Sequence, residues 1–277
     1  MKRFTLPLAL ILGMSFAASK VFADDMKIGN DLSLNLGYKL WVNSWQTTTS
    51  PFPAQGGNHF TAITKSGFGS IPNVSLKYKS MFVSGSYLAS GNYAFQPYTE
   101  VIATPQINGV AVGRLNTVNV TASRTEADVN LGYMFIPQLG VTVGYKNVTQ
   151  KFTFVSTSPG LTFSGNGIPS YTYMNGVTFG VVGGAPIGGG FSLYGNGVGG
   201  FMSVSYSPAL ANNDTASYAA SELGLAWHTP HVPLSFSLGY KYQIIATKPS
   251  AANNSTLSTQ VGQDVTQGYI LGMNLNF

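Results

Sequence analysis

Few residues in this sequence have chemistry that could reach beyond structure. Three are histidines: His59, His228 and His231. His228 and His231 could in principle share a metal ion, but a zinc site needs further ligands and none stands near them. Hydrolysis at a membrane surface would need a carboxylate pair or a His-Ser-acid set. Asp214 and Asp264 fall on different loops, and no spacing ties either to His59. The glycine-rich run 183–200 lacks the Lys-Ser/Thr pair and following helix of a phosphate loop, so turn flexibility explains it better. The expectation is a chain without catalytic residues, metal ligands or a cofactor, and not an enzyme.

Five charged residues stand out as candidates on the polar faces of alternating stretches: Lys39, Asp128, Lys146, Glu222 and Lys241. Each interrupts a stretch of period-two alternation, the mark of a strand with one apolar face. Leu32, Leu34, Leu36, Tyr38, Leu40 and Val42 alternate with Ser33, Asn35, Gly37, Lys39, Trp41 and Asn43. Ala127, Val129, Leu131, Tyr133 and Phe135 oppose Asp128, Asn130 and Gly132; Val141, Val143 and Tyr145 oppose Thr142, Gly144 and Lys146. Leu223, Leu225 and Trp227 oppose Glu222, and Leu234, Phe236, Leu238, Tyr240 and Tyr242 oppose Gly239 and Lys241. Facing residues of an antiparallel hairpin share a constant index sum. Pairing Phe135 with Leu139 sets Asp128 opposite Lys146, and pairing Trp227 with Phe236 sets Glu222 opposite Lys241. Lys39 has no such hairpin partner. The expected role of these five is either filler of a barrel lumen or a charged constriction that sets ion preference. Of the tryptophans, Trp227 reads as an interfacial anchor, while Trp41 falls on the polar face and could line a lumen.

The strands that carry these charges number about ten. They lie near 31–45, 70–79, 81–89, 124–135, 139–155, 171–182, 191–206, 216–228, 234–245 and 267–277. Residues 46–69, 208–215 and 246–262 read as loops. The stretch 90–123 is ambiguous. It reads preferentially as one long surface loop with its own hairpin at Asn108-Gly109, a strong turn dipeptide, and alternatively as two more strands at 98–105 and 110–121. Ten or twelve strands are both even, as bacterial barrels require.

Bulk composition agrees with export. Residues 1–23 read as a cleaved secretory signal: Lys2 and Arg3, an apolar run, then Val21-Phe22-Ala23 before Asp24. Residues 24–277 then form a single domain. The formal charge is +5, but losing Lys2, Arg3 and Lys20 from 14 basic residues, against 9 acidic, leaves +2. Nucleic-acid binding therefore has no support. There is no cysteine, and no apolar run long enough for a helical membrane span follows the signal. A soluble β-sandwich and a transmembrane β-barrel remain.

The final stretch, 267–277, decides between them. Tyr269, Leu271, Met273, Leu275 and Phe277 alternate with Gly268, Ile270, Gly272, Asn274 and Asn276. Gly272, Leu275 and Phe277 in these positions resemble the assembly signal on the C-terminal strand of bacterial outer-membrane β-barrels. Ile270 stands where that family usually has a polar residue. The resemblance implies an all-β fold, a closed antiparallel transmembrane barrel in the bacterial outer membrane. It also implies outer-membrane lipid, the barrel-assembly machinery and periplasmic chaperones as partners. The function expected is a porin-like narrow channel for ions or small solutes. The alternative is a closed-lumen structural or surface-binding barrel acting through its extracellular loops, and a rim-located hydrolase comes third.

Overall fold

The computed structural model describes residues 31–49, 60–64, 66–90, 92–103, 113–157, 167–207, 214–248 and 262–277. The expected signal peptide, His59 and Asn108-Gly109 lie outside these residues.

The described residues form thirteen strands, and ten of them close an antiparallel barrel. The wall is formed by β1 (Leu32–Thr49), β3 (Gly67–Tyr78), β4 (Met81–Ser90), β7 (Gly113–Ile136), β8 (Leu139–Ser156), β9 (Ser170–Gly188), β10 (Phe191–Ser207), β11 (Asp214–His228), β12 (Leu234–Lys248) and β13 (Gly262–Asn276). Each pairs with the next in this order, and β13 returns to pair with β1 from Asn35↔Asn276 to Thr48↔Gln263. Closure leaves no sheet edge around the ring, so every wall strand finds partners for its backbone on both sides. Tight turns join β3 to β4 at Lys79-Ser80, β7 to β8 at Pro137-Gln138, and β9 to β10 at Gly189-Gly190. The last needs its glycines: Gly188, Gly189 and Gly190 have φ of 115°, 61° and 80°.

The described residues between 90 and 123 add no separate strand to the barrel wall. Two short strands, β5 (Asn92–Ala94) and β6 (Tyr98–Ala103), continue β4 along the same edge of β7. The register slips by one residue at each break, from Leu88↔Glu126 to Asn92↔Ser123 to Tyr98↔Val118. The expected start of β7 at Arg124 is thus corrected to Gly113, because this hairpin rises well past the barrel rim. Likewise β1 runs on to Thr49 and pairs with β2 (Phe60–Ile63), inside what the sequence marks as a loop. Asp214 and Asp264, expected on loops, both lie on strands. At the outer end of β7 the alternation continues, but Val118, Val120 and Ala122 place its apolar side on the inner face, so it does not extend the outward-apolar pattern below.

Along the strands the pattern of burial inverts. Near the short turns the outward residues are apolar and exposed: Leu36 and Leu40, Val129, Leu131 and Tyr133, Val143 and Tyr145, Leu223 and Leu225, Leu238 and Tyr240, Tyr269 and Leu271. Aromatic pairs edge this belt, Trp227 with Phe191 and Phe236 near the turns, and Tyr240 with Tyr269 higher up. Farther from the turns the outward positions become polar, as at Asn119, Thr121, Asn147, Thr215 and Ser217, and the inward ones apolar. Val118, Val120, Val148, Met202, Val204 and Ile245 are buried inside. A membrane strand needs about 9–11 residues. β7 has 24. The barrel therefore has two storeys: one wrapped in lipid, the other built inside-apolar and outside-polar like a soluble protein.

Candidate functional site

The lumen at the junction of the two storeys holds the charges. Period-two geometry turns Lys39, Asp128, Lys146, Glu222 and Lys241 inward, because their neighbours on either side face outward. The structure brings all five into one region and pairs Asp128 with Lys146 and Glu222 with Lys241 in register, as the hairpin sums require. One detail differs. Ile136, not Phe135, faces Leu139, and a bulge at Phe135 restores the register by Met134↔Gly140.

Register opposition does not decide which charges bond. Lys146 Nζ lies 2.9 Å from Asp128 Oδ2 and 2.6 Å from Glu126 Oε2. Glu126 also takes Arg124 Nε at 2.7 Å and Gln243 Nε2 at 2.9 Å. Glu222 turns from Lys241 to Lys39, whose Nζ is 2.7 Å from its Oε1. Lys241 instead sits over the Trp41 ring at 4.6 Å. Arg124 and Glu126 are absent from the sequence-based set, although they share the inward parity of Asp128. Extending the alternation upstream of Ala127 is the signal that finds them.

Several of these bonds cross the lumen. Strands β12 and β7 stand on opposite sides of the ring, as do β13 and β8. Gln243 to Glu126 spans the first pair, and Gln150 Nε2 to Asp264 Oδ2, at 3.2 Å, spans the second. Arg124 Nη1 reaches Thr266 Oγ1 at 3.0 Å, again between separated strands. Trp41, Trp45, Arg124, Lys146 and Gln243 are all buried. A barrel of about ten strands is narrow enough for side chains from opposing walls to meet, and here they do. Above them an aromatic cluster of Trp45, Tyr93, Phe95 and Val118 with Phe152 and Phe154 fills the outer storey, beside a second cluster around Met174, Met202 and Ile245.

The remaining candidates fall elsewhere. Trp227 is exposed on the lipid face, whereas Trp41 is fully enclosed in the lumen and is joined there by Trp45. Asp214 accepts from Tyr206 at 2.7 Å, and Asp264 from Trp45 Nε1 at 3.2 Å. His228 Nε2 lies 3.2 Å from Ser192 Oγ at the turn end, and no His, Cys, Asp or Glu group fit to hold a metal occurs among the described residues. On β13, Gly272 faces Lys39 and Ser237, Leu275 points outward, and Phe277 exchanges two backbone hydrogen bonds of 2.7 Å with Leu34.

A closed ten-stranded antiparallel wall with an apolar, aromatic-edged exterior defines a transmembrane β-barrel of the bacterial outer-membrane type, and the outer membrane is the bilayer that such a barrel occupies. The chain is similar in fold to the outer-membrane protease OmpT from Escherichia coli, with a TM-score of 0.52 and 9% identity over 90% of this chain and 98% of that one. It also aligns with the toluene transporter TodX of P. putida (TM-score 0.33, 8% identity, 90% of each chain) and with Ail, the attachment invasion locus protein of Yersinia pestis (0.28, 13%, 90% of this chain and 100% of that one). At such identities the likeness is one of fold alone, and the last two scores carry no weight. No family model matches the chain, and no curated protein matches its sequence.

Proposed function

We propose that this barrel keeps its lumen closed and acts through its outer storey and loops, as a structural or surface-binding protein of the outer membrane. The supporting observation is the set of hydrogen bonds from opposite walls, Gln243 to Glu126 and Gln150 to Asp264, among side chains shielded from water. A water-filled path would hydrate these groups. The outer storey, with its polar exterior and packed interior, is a rigid platform that lifts the loops beyond the lipid. The reading is non-enzymatic: Asp214 and Asp264 are engaged by Tyr206, Trp45 and Gln150, and His228 lies at the far end of the barrel.

Single-channel recording of the purified protein in planar bilayers tests this. Electrically silent insertions are expected, with steps rare and brief. Steady, ohmic conductance would instead favour the porin-like narrow path. That second reading draws on the turn-ward half of the lumen, where Asn35, Gly37, Asn130, Gly144, Gly224 and Asn274 are small and half-buried. Under it, Asp128→Asn and Glu222→Gln shift selectivity toward anions, because Lys146 loses one of its two carboxylates and Lys39 loses Glu222.

A further inference from the structure

The inner face of the barrel changes character along its axis. Arg124, Glu126 and Lys146 are shut from water, with side chains 1%, 2% and 1% exposed. Toward the short turns the same face opens. Lys39 and Asp128 point into the lumen, yet their side chains are 24% and 25% exposed. Lys77, at the inward position of β3 nearest the turns, is exposed. Between these levels the inward positions of β1, β3 and β13 include Asn35, Gly37, Asn73, Ser75 and Asn274, all half-buried. Ser84 and Ser86 on β4 and Asn130 on β7 are half-buried as well. Side chains packed wall to wall are buried, as Val118, Val148 and Val204 are in the outer storey. A continuous run of partly exposed inward groups, from the rim to Lys39, is instead the mark of a hydrated space.

Glycines make the room. In this half the bulkier inward side chains lie flat on the wall, each over a glycine of a neighbouring strand. The amides of Asn73 and Asn274 cover Gly37, Asn130 covers Gly144, and the Phe82 ring covers Gly132, so that a Cβ on any of these glycines would collide with them. Tyr194 lies across Gly224 and Gly239 in the same way. Side chains folded onto the wall leave the axis clear. The lining they form is rich in amides and hydroxyls, which both donate and accept hydrogen bonds and so hold water or a small polar molecule equally well. The space stops where bonds cross the lumen, at Gln243 to Glu126 and beside the buried Trp41 and Trp45.

We infer that the turn-ward half of the lumen is a blind, water-filled vestibule that admits small polar molecules from the periplasm and ends at the Lys39–Glu222 and Asp128–Lys146 pairs. The short turns of such a barrel face the periplasm, which sets the side of entry. The inference rests on the closed-lumen reading and locates its seal: the outer storey is packed, and only the half below the charge network is wet.

The chain has no cysteine, so a single introduced thiol is a unique reporter of access. Ser84→Cys places one inside the vestibule, and Thr47→Cys places one above its ceiling, where Thr47 is buried. Each full-length variant also carries a protease site at Asn108-Gly109 and is reconstituted into sealed vesicles. The membrane-impermeant reagent 2-sulfonatoethyl methanethiosulfonate is added outside and quenched. Protease then cuts the molecules whose loops face out, and a gel separates them from those whose turns face out. Thiols left unreacted are counted with a polyethylene-glycol maleimide after denaturation. Ser84→Cys should react in the turns-out molecules and stay free in the loops-out ones, and Thr47→Cys should stay free in the turns-out molecules. Reaction of Ser84→Cys in both orientations would reveal a through-path and overturn the blind end together with the closed-lumen reading. Reaction in neither, or from the loop side only, would overturn the vestibule and leave the closed lumen standing. Reaction of Thr47→Cys in turns-out molecules would overturn the placing of the ceiling. Ser86→Cys serves the same test should Ser84→Cys fail to fold, as judged by heat-modifiable gel mobility.

Discussion

At the scale of single residues, Glu126 is the group on which the lumen network converges. Its carboxylate receives Arg124, Lys146 and Gln243, all with almost no exposure to water. Ions withdrawn from water are stable only while paired, so removing one partner leaves the others stranded. Glu126→Gln should therefore destabilise the barrel by roughly 3–5 kcal/mol, a typical cost of breaking a buried ion pair. Unfolding monitored by gel mobility in detergent measures it. Lys39→Met should cost clearly less, since Lys39 is partly exposed and water can serve Glu222 in its place. Exchanging the pair, Lys39→Glu with Glu222→Lys, should recover most of the single-variant losses, whereas Lys241→Glu with Glu222→Lys should not. That contrast separates the bond that forms from the one that register alone suggests.

At the scale of elements, β13 is the strand that closes the ring. Phe277 is tied to Leu34 by backbone bonds in both directions, and Gly268 presses close to β1. A Cβ on Gly268 would stand 2.0 Å from the carbonyl oxygen of Val42 and 2.6 Å from the Cα of Asn43, both backbone atoms with little room to move. Gly268→Ala should force the β1–β13 seam apart and lower the yield of folded barrel in outer-membrane fractions. We propose further that Phe277 serves assembly, as its likeness to the C-terminal signal implies. Deleting it should leave protein in the periplasm or degraded, and normal outer-membrane levels would count against that role. The hairpin of β6 and β7 makes another element-scale prediction. It rises from the outer end of the barrel, so a protease site inserted at Asn108-Gly109 should be cut on intact cells.

At the scale of the whole molecule, the inversion along the strands fixes where lipid ends. Leu131 belongs to the apolar belt, while Thr121, on the same face of the same strand, belongs to the outer storey. Leu131→Arg should cost about 2–4 kcal/mol in a lipid bilayer, the usual penalty for a cation on the lipid face near midplane. Thr121→Arg should change stability by about 0.5 kcal/mol or less, as at an ordinary water-facing site. Equal costs at the two positions, measured by unfolding in vesicles, would place the membrane elsewhere on the wall. What the sequence by itself determined follows from short-range rules. Period-two alternation assigns the inward face, and the hairpin sums place Asp128 against Lys146 and Glu222 against Lys241, because neighbouring strands are joined by short turns. The outer storey was less legible: Val118, Val120 and Ala122 alternate with Asn119, Thr121 and Ser123, but their apolar face is the inner one, so nothing in the pattern joined them to the belt below. Only the tertiary structure decided that Glu222 bonds Lys39, that Lys241 lies on Trp41, and that Gln243 reaches Glu126. Those contacts join strands far apart in the chain, and they exist because the sheet closes into a ring narrow enough for opposite walls to touch.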